Sequence, residues 1–160
     1  MKKVIQTIGM ILLLCVPVVA TAQIGIPDRA NRDRATQMGA NMERTIKLKE
    51  PNWKLKGSLK SDFGSHHYFK ADKGEVDISI YVYDSPEEAS RQLRIHATWS
   101  SLTAESKLEG IGDEAFYMSH RLFSWIGVRK GNTLVEVRGP GPELTVTRRF
   151  VRYGLNQLEK

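Results

Sequence analysis

Apolar and polar residues alternate along several stretches of the chain, and this period of two predicts β-strands. In the clearest stretch the aliphatic residues occupy every second position: Val76, Ile78, Ile80 and Val82. Residues 67–71 alternate in the same way, and Asp72-Lys-Gly74 between the two stretches is typical of a turn. Together they predict a β-hairpin with one buried aliphatic face, and residues 53–59 are a candidate for a preceding strand.

Three more strands are predicted in the second half of the chain. Phe116–Met118 and Leu122–Val128 are rich in aromatic and branched residues, and so is Thr133–Val137. The last two are joined by Lys130-Gly-Asn132, which has the composition of a tight turn.

A period near four residues predicts the first of three helices, over Arg29 to Lys47. Asp28 is placed to cap it, and Met38, Met42 and Ile46 form a thin apolar stripe. Since the stripe is thin, we expect this helix either to be marginal or to need docking against the rest of the protein; Pro51 ends it.

The second and third helices have different start signals. Ser85-Pro86, followed by two glutamates, is typical of a helix N-terminus. The third helix follows Gly139–Pro142, and its first turn is doubtful because Thr145–Thr147 are poor helix formers. Its apolar arc comprises Leu144, Thr147, Phe150, Val151, Leu155 and Leu158.

Strands joined by tight turns pair antiparallel, so the order helix, hairpin, helix, three strands, helix predicts an α+β fold. We expect a single domain with an antiparallel sheet of about five strands and helices packed on one of its faces. The chain divides into residues 1–22, a polar helical segment 23–51 and the α+β domain 52–160.

Residues 1–22 have the pattern of a secretory signal peptide. Lys2 and Lys3 precede an apolar run from Ile8 to Ala20, and Ala20-Thr-Ala22 supplies small residues for cleavage before Gln23. Thirteen helical residues span only about 20 Å, less than the bilayer's hydrocarbon core. We therefore expect a periplasmic or secreted protein; the alternative is an uncleaved anchor that starts at Val4.

Removal of that segment changes the cysteine content and the charge. The single cysteine, Cys15, lies within it, so the remaining 138 residues contain none, which excludes thiol catalysis, cysteine-based zinc sites and redox roles. The formal charge falls from +6 to +4, with an acidic middle, residues 71–115, between basic ends. This arrangement indicates internal complementarity, and we expect no nucleic-acid partner.

The segment Gly110-Ile-Gly-Asp-Glu-Ala115 matches the letters of a dinucleotide fingerprint, but its context does not. A polar stretch precedes it, and a strand-like one follows where a helix should begin. We interpret Gly110, Gly112 and Asp113 as a structural turn, with no cofactor bound.

The same motif, followed by an apolar strand and a Lys-Gly-Asn turn, resembles several families of small bacterial envelope proteins. Some of these resemble the PsbP-like α/β sandwich. The matching pieces are Gly110–Tyr117, Val128–Asn132 and Val135–Val137, with Ser85–Ala89 as a weaker fourth. The resemblance covers about residues 65–160 and implies a fold and a compartment, without catalytic residues.

The remaining candidates for chemistry are sparse. His66 and His67 are neighbours in a strand and point to opposite faces, and no His spacing suits a metal site. Asp113 and Glu114 are adjacent in a turn, which does not favour a converging catalytic pair. We therefore predict no catalytic, cofactor-binding or metal-binding residues. The expected function is a non-enzymatic binding or envelope-associated domain; the alternative is an unrecognised periplasmic hydrolase.

Arg148, Arg149 and Arg152 fall on one face of the last helix, opposite its apolar arc. This face is either solvated, or paired with the acidic block at Glu105, Glu109 and Glu114, or in contact with an anionic partner such as lipid headgroups or a cell-wall polymer. The sequence leaves the partner open, as an envelope protein or a small molecule, with weak membrane contact as a further option. It leaves the oligomeric state open too.

Overall fold

Three helices and seven strands make up the part of the chain that the structure, a computed structural model, describes: residues 27–72, 74–99 and 106–158. The expected signal peptide, residues 1–22, lies outside this part. The elements are α1 (Arg29–Lys49), β1 (Lys54–Lys60), β2 (Gly64–Ala71), β3 (Gly74–Val82), α2 (Pro86–Trp99), β4 (Ser106–Lys107), β5 (Glu114–Ser119), β6 (Phe123–Lys130), β7 (Thr133–Pro140) and α3 (Leu144–Leu155).

The strands form one antiparallel sheet in the order β1-β2-β3-β7-β6-β5-β4. Neighbours along the chain are also neighbours in the sheet, except that β3 pairs with β7 and sets Ile80 opposite Val135. The predicted α+β domain is confirmed. The sheet has seven strands instead of about five, in part because β4 has two residues, too few for a period to be visible in the sequence.

Helices cover both faces of the sheet, so the prediction that they pack on one face is wrong. α1 and α3 lie over Ile78, Ile80 and Val82, in a core that also contains Phe150. α2 lies on the opposite face, where Leu93 packs with Tyr81, Tyr83 and Leu134. Side chains alternate between faces along a strand. On β3 one set is buried against α1 and α3, and Tyr81 of the other set is buried under α2, while Glu75 of that set is exposed.

The predicted helix start signals are confirmed by their hydrogen bonds. Asp28 Oδ1 accepts from the Asn31 amide at 2.7 Å, and Ser85 Oγ accepts from the Glu88 amide at 3.1 Å. In α3 the doubtful first turn is helical because Thr147 is fully buried, with its Oγ1 2.6 Å from Ser124 Oγ.

None of the helices in the described residues is both long enough and apolar enough to cross a membrane. The thin stripe of α1 is buried against β2 and β3, as expected for a helix that needs docking: Met38, Met42 and Ile46.

Candidate functional site

A cleft of about 1210 Å³ opens at the end of the sheet where α1 ends, β1 begins and β7 leads into α3. Trp53, Pro140 and Pro142 line it, beside the first turn of α3. Trp53 is itself held in the core by an edge-on contact with Phe150, with ring centroids 5.2 Å apart. We call this region the α1–α3 cleft.

Basic residues outnumber acidic ones in the lining of the α1–α3 cleft. The basic residues are Lys54, Lys56, Lys70 and Arg149, and the acidic ones are Glu50, Asp72 and Glu143. Lys70 Nζ lies 2.9 Å from Glu75 Oε1. Lys54 and Lys56 are exposed, and neither forms an ion pair within residues 27–72, 74–99 and 106–158. Two ammonium groups are thus available to an anion in the cleft.

Arg148, Arg149 and Arg152 are all exposed on α3, and Arg149 is tethered by an ion pair. Arg149 Nε lies 2.8 Å from Glu50 Oε1, which also accepts a hydrogen bond from the Tyr153 hydroxyl at 2.8 Å. Burial and this bond to Glu50 raise the pKa of Tyr153, so the phenol stays protonated and donating. Arg148 and Arg152 are exposed on the same helix.

The expected pairing of these arginines with Glu114 is wrong. Glu114 lies by α2, where it accepts hydrogen bonds from Ser90 Oγ at 2.5 Å and Arg94 Nε at 3.0 Å, with Arg129 Nε at 3.6 Å. Burial alone would raise the pKa of Glu114, but these hydrogen bonds and the two arginine charges outweigh it and lower the pKa. Glu105, another expected partner, lies outside the described residues.

The glycine motif forms a turn against the β6–β7 hairpin. Gly110 and Gly112 have φ of 75° and 64°, the left-handed region that favours glycine. Asp113 Oδ2 accepts from the Gly131 amide at 2.7 Å and from Arg129 Nη1 at 3.0 Å. The motif therefore supports the β6–β7 turn through Asp113 and holds α2 through Glu114.

Two histidine pairs lie on the α2 side of the sheet. His66 Nδ1 lies 2.9 Å from Ser79 Oγ, and burial, together with the charge of neighbouring His67, lowers the His66 pKa. His96 Nδ1 lies 2.9 Å from Glu136 Oε1, and this bond raises the His96 pKa despite burial.

His67 points to the other face, as predicted, and its Nδ1 lies 2.6 Å from Glu43 Oε1 on α1. The His67 Nε2 atom is buried and has no hydrogen-bond partner within the described residues. Sequence reasoning missed Glu43, Ser79 and Glu136 as histidine partners, since each appears only as a polar position in an otherwise regular pattern.

The described residues contain no group of three His, Cys, Asp or Glu side chains close enough to hold a metal ion. Of the tryptophans whose side chains are described, Trp53 and Trp125 do not form a common platform. Trp53 belongs to the core on the α1 and α3 side, and Trp125 packs half-buried on the α2 side. The arrangement can bind a ligand by charge and surface contact at the cleft.

No protein-family model matches this chain, and no curated protein matches it. Among solved structures, the chain is similar to a GTP binding regulator from Thermotoga maritima, with 18% sequence identity and a TM-score of 0.48. The alignment covers 80% of this chain and 87% of the other.

Proposed function

We propose that this chain is an exported, non-enzymatic binding domain of the bacterial envelope that takes an anionic ligand at the α1–α3 cleft. One observation carries the proposal: Lys54 and Lys56 line the cleft without an ion-pair partner among the residues that the structure describes. The exposed Arg148 and Arg152 extend the same positive charge along α3. Such a surface attracts anions because unpaired cations gain Coulomb energy from an anion at little desolvation cost.

The lining of the cleft favours binding over hydrolysis. It includes no histidine, serine or cysteine, the residue types that most often act as base or nucleophile. Its carboxylate Glu50 is occupied by Arg149 and Tyr153, so it is poorly placed to activate a water molecule. The histidines that have shifted pKa values lie elsewhere, on the α2 side of the sheet.

The compartment is proposed from the sequence. The signal-peptide pattern of residues 1–22 supports export, and the Gly110–Tyr117 motif supports a small envelope protein. The ligand chemistry that fits both is an anionic phosphate group, which bacterial envelopes display on lipid headgroups and on wall polymers.

Co-sedimentation tests the proposal. Protein recovered after export, with its processed form established by intact mass, is mixed with phosphatidylglycerol vesicles, neutral phosphatidylcholine vesicles or purified wall polymer. We expect binding to an anionic material at about 0.1 M salt and loss at about 1 M, where the Debye length falls from about 10 Å to about 3 Å. The arm that binds identifies the source of the phosphate.

Two double variants locate the binding. Lys54→Gln/Lys56→Gln removes the unpaired charges of the cleft and should weaken binding most, while Arg148→Gln/Arg152→Gln should weaken it less. A matched control, Arg121→Gln/Lys107→Gln, removes the same charge from exposed positions outside the cleft lining. Binding that the cleft variant retains, or that the control loses equally, would refute the cleft as the site.

A further inference from the structure

Strand β1 forms an open edge of the sheet. It is seven residues long, and six of them are exposed. The opposite edge is the two-residue β4. An exposed edge strand presents unpaired backbone donors and acceptors, to which another extended chain can pair.

Exposed apolar side chains concentrate at this edge. Six large hydrophobic residues are exposed in the described part of the chain, and four of them belong to β1, β2 and the turn between these strands: Leu55, Leu59, Phe63 and Tyr68. Leu59 is 57% exposed and pairs with His66 in the β1–β2 ladder. Tyr68 follows His66 by two residues on β2, so it lies diagonally across from Leu59 on the same face. Leu55 pairs with Phe69 and lies on the opposite face, so Leu59 and Tyr68 form the apolar surface of this edge. Adjacent exposed apolar side chains mark an interaction site more often than scattered residues do.

The outward backbone groups of β1 follow from the β1–β2 ladder. Ser61 and Gly64 exchange backbone hydrogen bonds at 2.9 and 3.4 Å. In an antiparallel ladder, bonded residues alternate with residues whose N–H and C=O groups point away. Ser58 and Lys60 therefore direct their backbone groups away from β2, into solvent.

The positive charge of β1 favours an acidic partner over a second copy of the same strand. Lys54, Lys56 and Lys60 are all exposed. Pairing of two copies of β1 in antiparallel fashion, centred on Ser58, would set Lys56 of one copy opposite Lys60 of the other, which is repulsive. An acidic strand would instead meet lysines along its whole length.

We infer that the β1 edge binds an extended segment of a partner protein in which acidic and apolar residues alternate. The segment adds an eighth strand, with backbone hydrogen bonds to Ser58 and Lys60. Its apolar side chains contact Leu59 and Tyr68, and its carboxylates, on the other face, meet Lys60, because the register shift between Leu55 and Gly57 sets Lys54 and Lys60 on opposite faces of β1. This surface adjoins the α1–α3 cleft at Lys54 and Lys56 and extends beyond it, since Ser58, Leu59 and Lys60 do not line that cleft.

Selection from a display library of random linear peptides tests this inference on the purified chain. Enriched peptides should alternate apolar and acidic residues, and the best one is then synthesised. N-methylation of one alternating set of its backbone nitrogens should abolish binding, while methylation of the other set should leave it intact. Enrichment of no sequence, or equal loss with both methylated sets, would overturn the inference.

Variants of Ser58 supply the matched comparison. Ser58→Pro removes an outward N–H without removing a β1–β2 hydrogen bond, and should weaken the peptide about tenfold or more. Ser58→Ala keeps the N–H and should bind like the unchanged chain. A second measurement does not depend on the folding of the proline variant. Amide exchange at Ser58 and Lys60 of the unchanged chain is measured with and without peptide, and unaltered protection there would equally refute the inference. Peptide-independent association through β1, seen by sedimentation, would assign the edge to a second copy.

Vesicle and wall-polymer binding should be unchanged in Ser58→Pro, which separates this test from that of the cleft.

Discussion

Asp113 and Glu114 are consecutive residues that stabilise different parts of the protein. Asp113 holds the β6–β7 turn through the Gly131 amide, while Glu114 holds α2 through Ser90 and Arg94. Both also contact Arg129, whose side chain is only 16% exposed. Their positions depend on the glycines before them, which let the chain turn sharply into β5.

Gly112→Ala should destabilise the protein by more than about 1 kcal/mol. Gly112 has φ of 64°, and a Cβ there would lie 2.4 Å from Val128 Cγ1 and 2.6 Å from the Arg129 carbonyl oxygen. The substitution combines a strained backbone with an overlap against β6. The free energy of unfolding from urea titration measures the effect.

Gly110→Ala is the matched control. Gly110 also has a positive φ, 75°, but a Cβ at this position meets nothing within 4 Å. The control should lose less stability than Gly112→Ala. Equal losses would show that backbone strain alone explains the effect and that the contact with β6 contributes nothing.

At the scale of elements, α1 docks through a close approach at Gly39. A Cβ at Gly39 would lie 2.2 Å from His67 Nε2 and 2.7 Å from Ser65 Oγ. Both side chains are buried and held, His67 by Glu43 and Ser65 by the Ala35 carbonyl. The absence of a side chain at Gly39 therefore sets the distance between α1 and β2.

Gly39→Ala should destabilise the protein although alanine favours a helix by about 1 kcal/mol over glycine. The added methyl group displaces the held His67 ring or moves α1 away from the sheet, and either change opens the packing around Met42. Thermal and urea unfolding measure the loss.

The exposed neighbour Ala40 provides the comparison. Ala40→Gly should cost about 1 kcal/mol through helix propensity alone, with no effect on the docking of α1. If Gly39→Ala raised the stability by the amount that Ala40→Gly lowers it, propensity would dominate and the close approach would have no energetic role.

At the scale of the whole molecule, ion pairs connect the acidic middle of the chain to its basic ends. Glu114 and Asp113 bind Arg129, and Glu75 binds Lys70. These pairs support the internal complementarity expected from the charge distribution. The His96–Glu136 pair adds a contact between α2 and β7 whose strength depends on pH.

His96→Asn should cost more stability at about pH 5.5 than at about pH 8. The hydrogen bond to Glu136 raises the His96 pKa above its ordinary 6.5 in the folded protein. The resulting stabilisation is fully present below the unfolded pKa and disappears as the pH rises through the folded one. Urea unfolding of both proteins at the two pH values measures the difference.

His66→Asn should show the opposite trend. Burial lowers the His66 pKa, so protonation on acidification opposes folding and the unchanged chain loses stability as the pH falls. The variant lacks this penalty and should approach the stability of the unchanged chain at the lower pH. If both variants shifted in the same direction, the two histidines would not be in the environments described.

The sequence was sufficient to predict the three helices and the longer strands, though not the two-residue β4, because each of the longer elements has a local physical cause. Asp28 and Ser85 cap their helices through hydrogen bonds within three residues, and alternation along residues 76–82 follows from the geometry of one strand. The positive φ of Gly110 and Gly112 is likewise a local property of a sharp turn.

Tertiary structure alone decided which residues meet across the chain. The pairing of β3 with β7 brings Ser79 opposite Glu136, and it places both histidine pairs on the α2 side. Three other features also depend on residues far apart in sequence. They are the burial of Tyr81 and Tyr83 under α2, the ion pair between Arg149 and Glu50, and the open cleft beside Lys54 and Lys56. The hydrophobic periodicity of a sequence indicates which side of its own helix or strand a residue occupies. It carries no information about the element that covers that side, because packing is chosen by the whole chain.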